Sequence, residues 1–330
     1  MYKQPIYCEI EFLQNFFNNI PQYNYENSKE FEIWDNYKSL FLNNCTLTLD
    51  EEQKFKELLM NKNELFIILN KRCDGAYIDI QFDKKNDIEL LENSQELFFL
   101  TDTKKCKELE ENYGMMFISA KTLDENADIL FEQATIPIDK KGSSISNWNF
   151  IEKYKHPCNA MIIADNYLLK QDGKINKEEL QNNLLLMLDK LLPEKLNKLD
   201  FHLTIITGDG RNFIDIKNRY EYLNTELQKL RSSYKIELKI IGKSIDNHDR
   251  NIITNYLHIY SGFGFTLFKE RNKVLANTTI SINPVTSKND IQKIVFSLKN
   301  QYRNIVQEVC NVGTQIIVFP IEGNTNRLLK

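Results

Sequence analysis

His248–Phe265, HDRNIITNYLHIYSGFGF, is the stretch whose reading decides the fold of this 330-residue chain. Two apolar runs lie within it, one with Ile252 and Ile253, the other with Tyr256, Leu257, Ile259 and Tyr260. Runs of this length beside glycine read as buried strands. A histidine and an arginine, His248 and Arg250, precede the first run, and Gly262 follows the second, with Phe263 and Phe265 after it. On periodicity alone the charged pair joins a turn to a strand. Chemically, the guanidinium of Arg250 offers a planar fork of donors that fits phosphate oxygens.

Outward from this stretch the chain alternates strand and helix signals. AMIIADNYLL reads as a strand, NKEELQNNLLLMLDKLL as an amphipathic helix ending before Pro193, and FHLTIIT as a second strand. NRYEYLNTELQKLRSSY is a second helix and KIELKIIG a third strand. The β-α-β-α-β order predicts an α/β layer with a mainly parallel mixed sheet. In such sheets ligands bind beyond the carboxyl ends of the strands. The turn Gly208–Arg211 (GDGR) and the loop ending in His248 would lie there, making Arg211 a candidate second phosphate contact. NTTISINPV, a helix from SKNDIQKIVF onward and TQIIVFPIE complete this domain with a strand, a helix and a last strand.

The spacing of His248, Arg250, Asn255 and Gly262 resembles the phospholipase D superfamily signature, H-x-K-x4-D followed by x6-G-S-x-N. HDRNIITNYLHIYSGFGFTLF is similar, more closely, to the phospholipase D-like domain at the C-terminus of MIT-domain proteins. The Asp165 and Tyr167 that follow an apolar strand resemble that domain's opening Asp-x-Tyr. The resemblance covers residues 159–268. It implies a phospholipase D-like fold without cofactor, His248 as nucleophile, and a phosphate pocket of His248, Arg250 and Gly262. In the MIT-linked domain the site is incomplete and associated with phospholipid binding. Here too the pattern departs: Asn255 stands where the family has an acid, and an amide orients a neighbour without stabilising an imidazolium by charge. Phe263 and Phe265 occupy the Ser and Asn positions. The family's site also uses two such motifs, and the other histidines are His156, His202 and His258, of which only His202, with Thr204 and Asp209, begins a second. A complete site therefore implies a homodimer.

The first half reads differently. FFLTDTKKCKELEENYGMMFIS runs strand, Asp102, helix, Gly114, strand, and resembles the later part of PIN-like nuclease domains; IYCEIEFLQNFF, with Glu9 and Glu11 closing a short strand, matches their first strand less well. That resemblance implies Mg²⁺ or Mn²⁺ held by carboxylates, since hard cations take oxygen ligands and activate water. Glu9, Asp102 and Asp124 are the candidate metal ligands, with Asp79 or Asp83 behind them. Acidic residues are abundant throughout this half, so a partner-binding or scaffold domain fits the same residues. Trp34 and Trp148 sit among aromatics at helical spacing and read as packing before base stacking.

The chain is long enough for two α/β domains, 1–138 and 151–330, joined by a linker at 139–150 within DKKGSSISNW. Six scattered cysteines without a C-x-x-C pair fit a reducing compartment. The N-terminus lacks the apolar core of a signal peptide, and no stretch approaches a membrane span, so a soluble cytoplasmic protein is expected. Net charge is −11 for residues 1–150, 0 for 151–230 and +7 for 231–330. A basic third around a phosphate-site relic favours a polyanionic partner, nucleic acid ahead of anionic lipid. The leading expectation is recognition of nucleic acid without cleavage. The alternatives are a nuclease, through His248 across a dimer or through a metal in the first half, and a regulatory component of a bacterial defence or mobile-element complex with a protein partner.

Overall fold

The computed structural model describes residues 3–22, 28–43, 45–70, 73–77, 95–141, 144–169, 176–208, 213–243, 250–269, 273–286, 289–308, 316–321, 323 and 325–330. The chain divides into two compact units, Met1–Phe131 and Glu132–Lys330. Each is α/β, as the alternation predicts. Among the described residues no helix is long and apolar enough to cross a membrane.

The first unit is built on five strands: β1 (Gln4–Cys8), β2 (Cys45–Leu49), β3 (Cys73–Tyr77), β4 (Leu97–Phe99) and β5 (Phe117–Ile118). They are ordered β3-β2-β1-β4-β5 and every pair is parallel. Parallel neighbours need crossovers, which are supplied by α1 (Ile10–Asn18), α2 (Ser28–Asn43), α3 (Glu52–Met60), α4 (Glu64–Asn70) and α5 (Thr103–Tyr113), with α6 (Leu123–Phe131) at the end. α5 shows how locally the sequence sets its limits. Asp102 accepts from the Lys104 and Lys105 amides at its start, and Gly114, at φ +59°, ends it in the left-handed region. The core is aromatic: Phe12, Phe16, Phe41 and Phe99 pack on one another, and Trp34 stacks on Phe16 while donating its indole N–H to the Phe16 carbonyl.

The second unit contains β6 (Ala134–Ile138), β7 (Ala160–Ala164), β8 (Phe201–Thr207), β9 (Ile236–Gly242), β10 (Arg250–Thr254), β11 (Leu257–Ser261), β14 (Thr278–Pro284) and β15 (Ile317–Phe319), with β12 (Phe268–Lys269) and β13 (Lys273–Val274) as a separate ribbon. The eight-stranded order is β15-β9-β8-β7-β10-β11-β14-β6. The sheet is mixed, but parallel pairing is confined to β7, β8 and β9, and every other pair is antiparallel. The expected parallel majority fails for a steric reason: β10 and β11 are joined by the two residues Asn255 and Tyr256, and so short a link permits only an antiparallel pair. Helices α7 (Lys177–Leu180) and α8 (Leu186–Leu191), joined by a π-helical turn at Gln181–Leu185, precede β8; α9 (Phe213–Leu230) follows it, and α10 (Asn289–Glu308) precedes β15.

The domain limits differ from the sequence reading. Residues 134–138, expected in the first domain, form edge strand β6 against β14 in the second unit's sheet. Trp148, expected in the linker, is fully buried against Phe150, Phe265 and Phe268. A Ser/Gly-rich composition marks a turn-rich path but does not reveal that a tryptophan at its end is packed into a core.

The buried histidines of the second unit and the buried glutamates of the first respond oppositely to acid. His156 lies between the Tyr154 carbonyl and the Thr254 hydroxyl, both at 2.8 Å, and burial lowers its pKa to about 4. Burial does the same to His202 and His258. In the first unit burial raises Glu96 and Glu110 to about 7. A depressed histidine pKa means that unfolding takes up protons below about pH 6.5, so stability present above that value is lost toward pH 4; a raised carboxyl pKa means that folding takes up protons, so stability falls as pH rises from about 4.5 through 7. On acidification from about pH 7.5 to about pH 5.5 the second unit's calorimetric transition should therefore move down and the first unit's up. Glu110→Gln should flatten the second of these shifts without touching the first.

Candidate functional site

The second unit's site forms where β7, β8, β10 and β11 meet at the carboxyl end of the parallel strands. The register of β7 with β10 pairs Ala164 with Asn251, so one step further Asp165 and Arg250 become neighbours. Arg250 likewise pairs with Ser261, which brings in the Ser261–Phe265 turn. Asp165 is buried, and its carboxylate accepts from the backbone N–H of Tyr167 at 2.8 Å and of Phe265 at 2.9 Å. Burial raises its pKa, while the two N–H donors and the Arg250 charge oppose the rise.

Gly264 explains the glycine of the turn. Its φ is +118°, and a Cβ there would stand 2.9 Å from Asp165 Oδ2. Side chains larger than hydrogen are excluded both by the backbone conformation and by the carboxylate. Ser261 closes the same turn: its hydroxyl donates to the Gly264 carbonyl at 2.6 Å and accepts from the Gly264 amide at 3.0 Å. Beyond the turn, the Asn183 side chain on the π-helical turn accepts from the Leu267 and Phe268 amides and donates to the Phe268 carbonyl, each at 2.8 Å. π-helical insertions recur where a helix must aim a side chain at a functional loop.

Arg250 sits on this platform. Its guanidinium donates to the Gly262 carbonyl at 2.8 Å and stacks over the Tyr167 ring, 5.3 Å from its centroid. Tyr167 is 42% exposed and the neighbouring Phe263 45% exposed. The half-buried guanidinium of Arg250 thus lies against one exposed aromatic ring, and Phe263, next to Gly262 in the chain, is exposed as well. On the adjoining strand, a Cβ at Gly208 would meet Asn166 Oδ1 at 2.9 Å, so a larger residue at the β8 exit would displace the Asn166 side chain.

The other sequence candidates scatter. His248 and Arg211 lie outside the described residues, as do Asp209, Asp79 and Asp83. Asn255 is at the opposite end of β10 from Arg250, about 16 Å away for five extended residues. There its amide oxygen accepts from the Asn159 and Ala160 amides, and its nitrogen donates to Asn159 Oδ1, so it fastens the β10–β11 hairpin to the start of β7. His202 opens β8 at that same remote end, beside Glu237. The linear spacing R-x4-N runs along β10, which carries Arg250 and Asn255 to opposite ends. Gly262 contributes its carbonyl to Arg250, and Phe265 is fully buried rather than lining a pocket. Gly264, Ser261 and Asn183 were not legible as site residues; the G-F-G-F spacing was the one signal for the turn.

In the first unit Glu9 and Asp102 have backbone tasks. Glu9 accepts from the Thr101 amide at 2.7 Å and from the Thr101 hydroxyl, Asp102 caps α5, and Asp124 lies in the first turn of α6. Among the described residues no group of three His, Cys, Asp or Glu side chains is arranged to hold a metal ion. Burial pushes the Cys106 thiol up to about 12, with Glu110, Glu9 and Asp102 adding to the rise, so it stays protonated.

Comparison with known proteins gives the class no name beyond α/β: no family model matches the chain. No curated protein matches it either.

Two substitutions test the platform. Gly264→Ala should destabilise the second unit by about 2 kcal/mol in urea unfolding, through its positive φ and the clash with Asp165. Asp165→Ala, which strands the buried Tyr167 and Phe265 amides, should cost about 2–3 kcal/mol.

Proposed function

We propose that the second unit recognises phosphate groups of a nucleic acid at the carboxyl end of β7 and β8 and binds without cleaving. The observation that carries this reading is Arg250, a half-buried guanidinium oriented by the Gly262 carbonyl and stacked on the exposed Tyr167 ring. Arginine held in a fixed plane pairs with phosphate at lower entropic cost than a free one, and exposed rings accept unstacked bases. The basic surplus of residues 231–330 works in the same direction through counterion release. A phospholipase D-like origin of the unit accords with the position of Arg250 at a strand entry beside Asp165.

Several features favour binding over cleavage. Asn255 and His202, the residues expected to orient or complement a nucleophile, belong to the other end of the sheet. Proton transfer needs partners within hydrogen-bond reach. Phe265 supplies core where a phosphate contact would stand.

Fluorescence anisotropy with a short oligothymidylate at low salt tests the proposal. Arg250→Ala should weaken binding about tenfold, roughly 1.4 kcal/mol, and reduce the salt slope by about 0.7. Arg250→Lys should restore little, because an ammonium does not stack in the guanidinium plane. Tyr167→Ala and Phe263→Ala should each cost about 1 kcal/mol. Unchanged affinity in Arg250→Ala would sink the reading, and tighter binding to phosphatidylserine vesicles than to the oligonucleotide would transfer the same site to lipid.

A further inference from the structure

The connection from β11 to β14 leaves the large sheet at the same end as Arg250. Arg250 pairs with Ser261 at the close of β11, Ser261 pairs with Ile280 near the start of β14, and Thr278 pairs with Ile138 at the close of β6. The β12–β13 ribbon lies within this connection and is therefore rooted at the end of the sheet that carries the candidate site. Its root is held fast. Leu275 donates its amide to the Leu267 carbonyl at 2.8 Å, the Asn183 side chain accepts from the Leu267 and Phe268 amides, and the Phe268 ring is fully buried.

The ribbon sets two like charges against each other. Lys269 and Lys273 are direct partners in its antiparallel register, so both side chains leave the same face, with Cα atoms about 5 Å apart. Like charges in that position destabilise a ribbon. Both lysines are exposed, and among the described residues neither has an acidic partner. The edge strand adds two more cations at the same end: β6 closes at Ile138 and is followed by Asp139, Lys140 and Lys141, all exposed. The Asp139 carboxylate accepts from the Lys141 amide at 2.9 Å, and Asn277 Oδ1 accepts from the Lys140 amide at 2.8 Å, which fastens this turn to the segment that leads from the ribbon into β14.

From β10 to β6 is three inter-strand steps, about 14 Å at the usual strand spacing. Arg250, Lys269, Lys273, Lys140 and Lys141 thus lie along one end of the sheet over a length that no single phosphate spans. A polymer of regularly spaced phosphates meets all five and releases its own counterions in doing so. The exposed rings of Tyr167 and Phe263 at the Arg250 end favour a single strand, whose bases are free to stack. We propose that the four lysines extend the Arg250 site into a track for the backbone of a single-stranded nucleic acid, with the Lys269–Lys273 pair gripping one phosphate between two ammonium groups. The track rests on the phosphate-recognition reading of Arg250 and adds to it the ligand class: a strand of several nucleotides, not a mononucleotide or a lone terminal phosphate.

The probes are fluorescein-labelled thymidine tri- and decanucleotides, titrated against the full chain by anisotropy over a series of salt concentrations. For Lys269→Ala/Lys273→Ala the decanucleotide should bind about tenfold more weakly at low salt and its salt slope should shrink by about 1.4, two contacts at about 0.7 each, with the trinucleotide little affected. Lys140→Ala/Lys141→Ala should act on the decanucleotide in the same sense. Lys269→Arg/Lys273→Arg should keep the wild-type slope, because the backbone reads the charge. Arg250→Ala should weaken both lengths, which separates the two readings: if it does so while the lysine-to-alanine variants keep the wild-type slope, the Arg250 site stands and the track is overturned. Loss of binding to phosphatidylserine vesicles in those variants, with oligonucleotide binding intact, would assign the lysines to a membrane surface and equally defeat the proposal.

Discussion

The buried Asp165 carboxylate, held between the Tyr167 and Phe265 amides, is the interaction on which the site rests. It ties the exit of β7 to the turn after β11, two segments a hundred residues apart in sequence, and so fixes Tyr167 and Gly262 on the two sides of Arg250. A carboxylate removed from water is costly unless donors replace its hydration. Here two amides do so, and the neighbouring guanidinium adds charge compensation. Gly264 follows from the same constraint, because only a residue without a side chain lets the turn approach the carboxylate this closely.

Around that contact the second unit spends its polar side chains on backbone. Asn183, Asn255, Ser261 and Thr254 each satisfy amides or carbonyls of turns that would otherwise be buried unpaired. The carboxyl end carries the exposed Tyr167 and Phe263 beside the half-buried Arg250, whereas Asn255 and His202, at the amino end, are buried.

Much of the second unit was legible from sequence because its strands are continuous apolar runs. AMIIA and FHLTIIT are buried at every position, the pattern of central strands covered on both faces. Helix limits were legible through capping, as with Asp102 and Gly114, because those signals are local in chain and in space. The direction of most pairs in the large sheet was not, since it depends on how each strand returns to its neighbour. The assignment of β6 was not legible either: nothing within ATIPI says which sheet it will join, and only the register with Thr278–Ile282 decides it.

By itself, then, the sequence determined the alternation of elements, the α/β class of both units, and Arg250 as a phosphate-binding candidate, because each is encoded in periodicity or in the chemistry of one side chain. Tertiary structure alone decided which candidates share a site. The linear motif joined Arg250 to Asn255, but an extended strand carries them to opposite ends of the sheet. Cross-strand register instead joined Arg250 to Asp165, Tyr167 and Gly262, because hydrogen-bonded neighbours in a sheet lie about 5 Å apart whatever their separation along the chain.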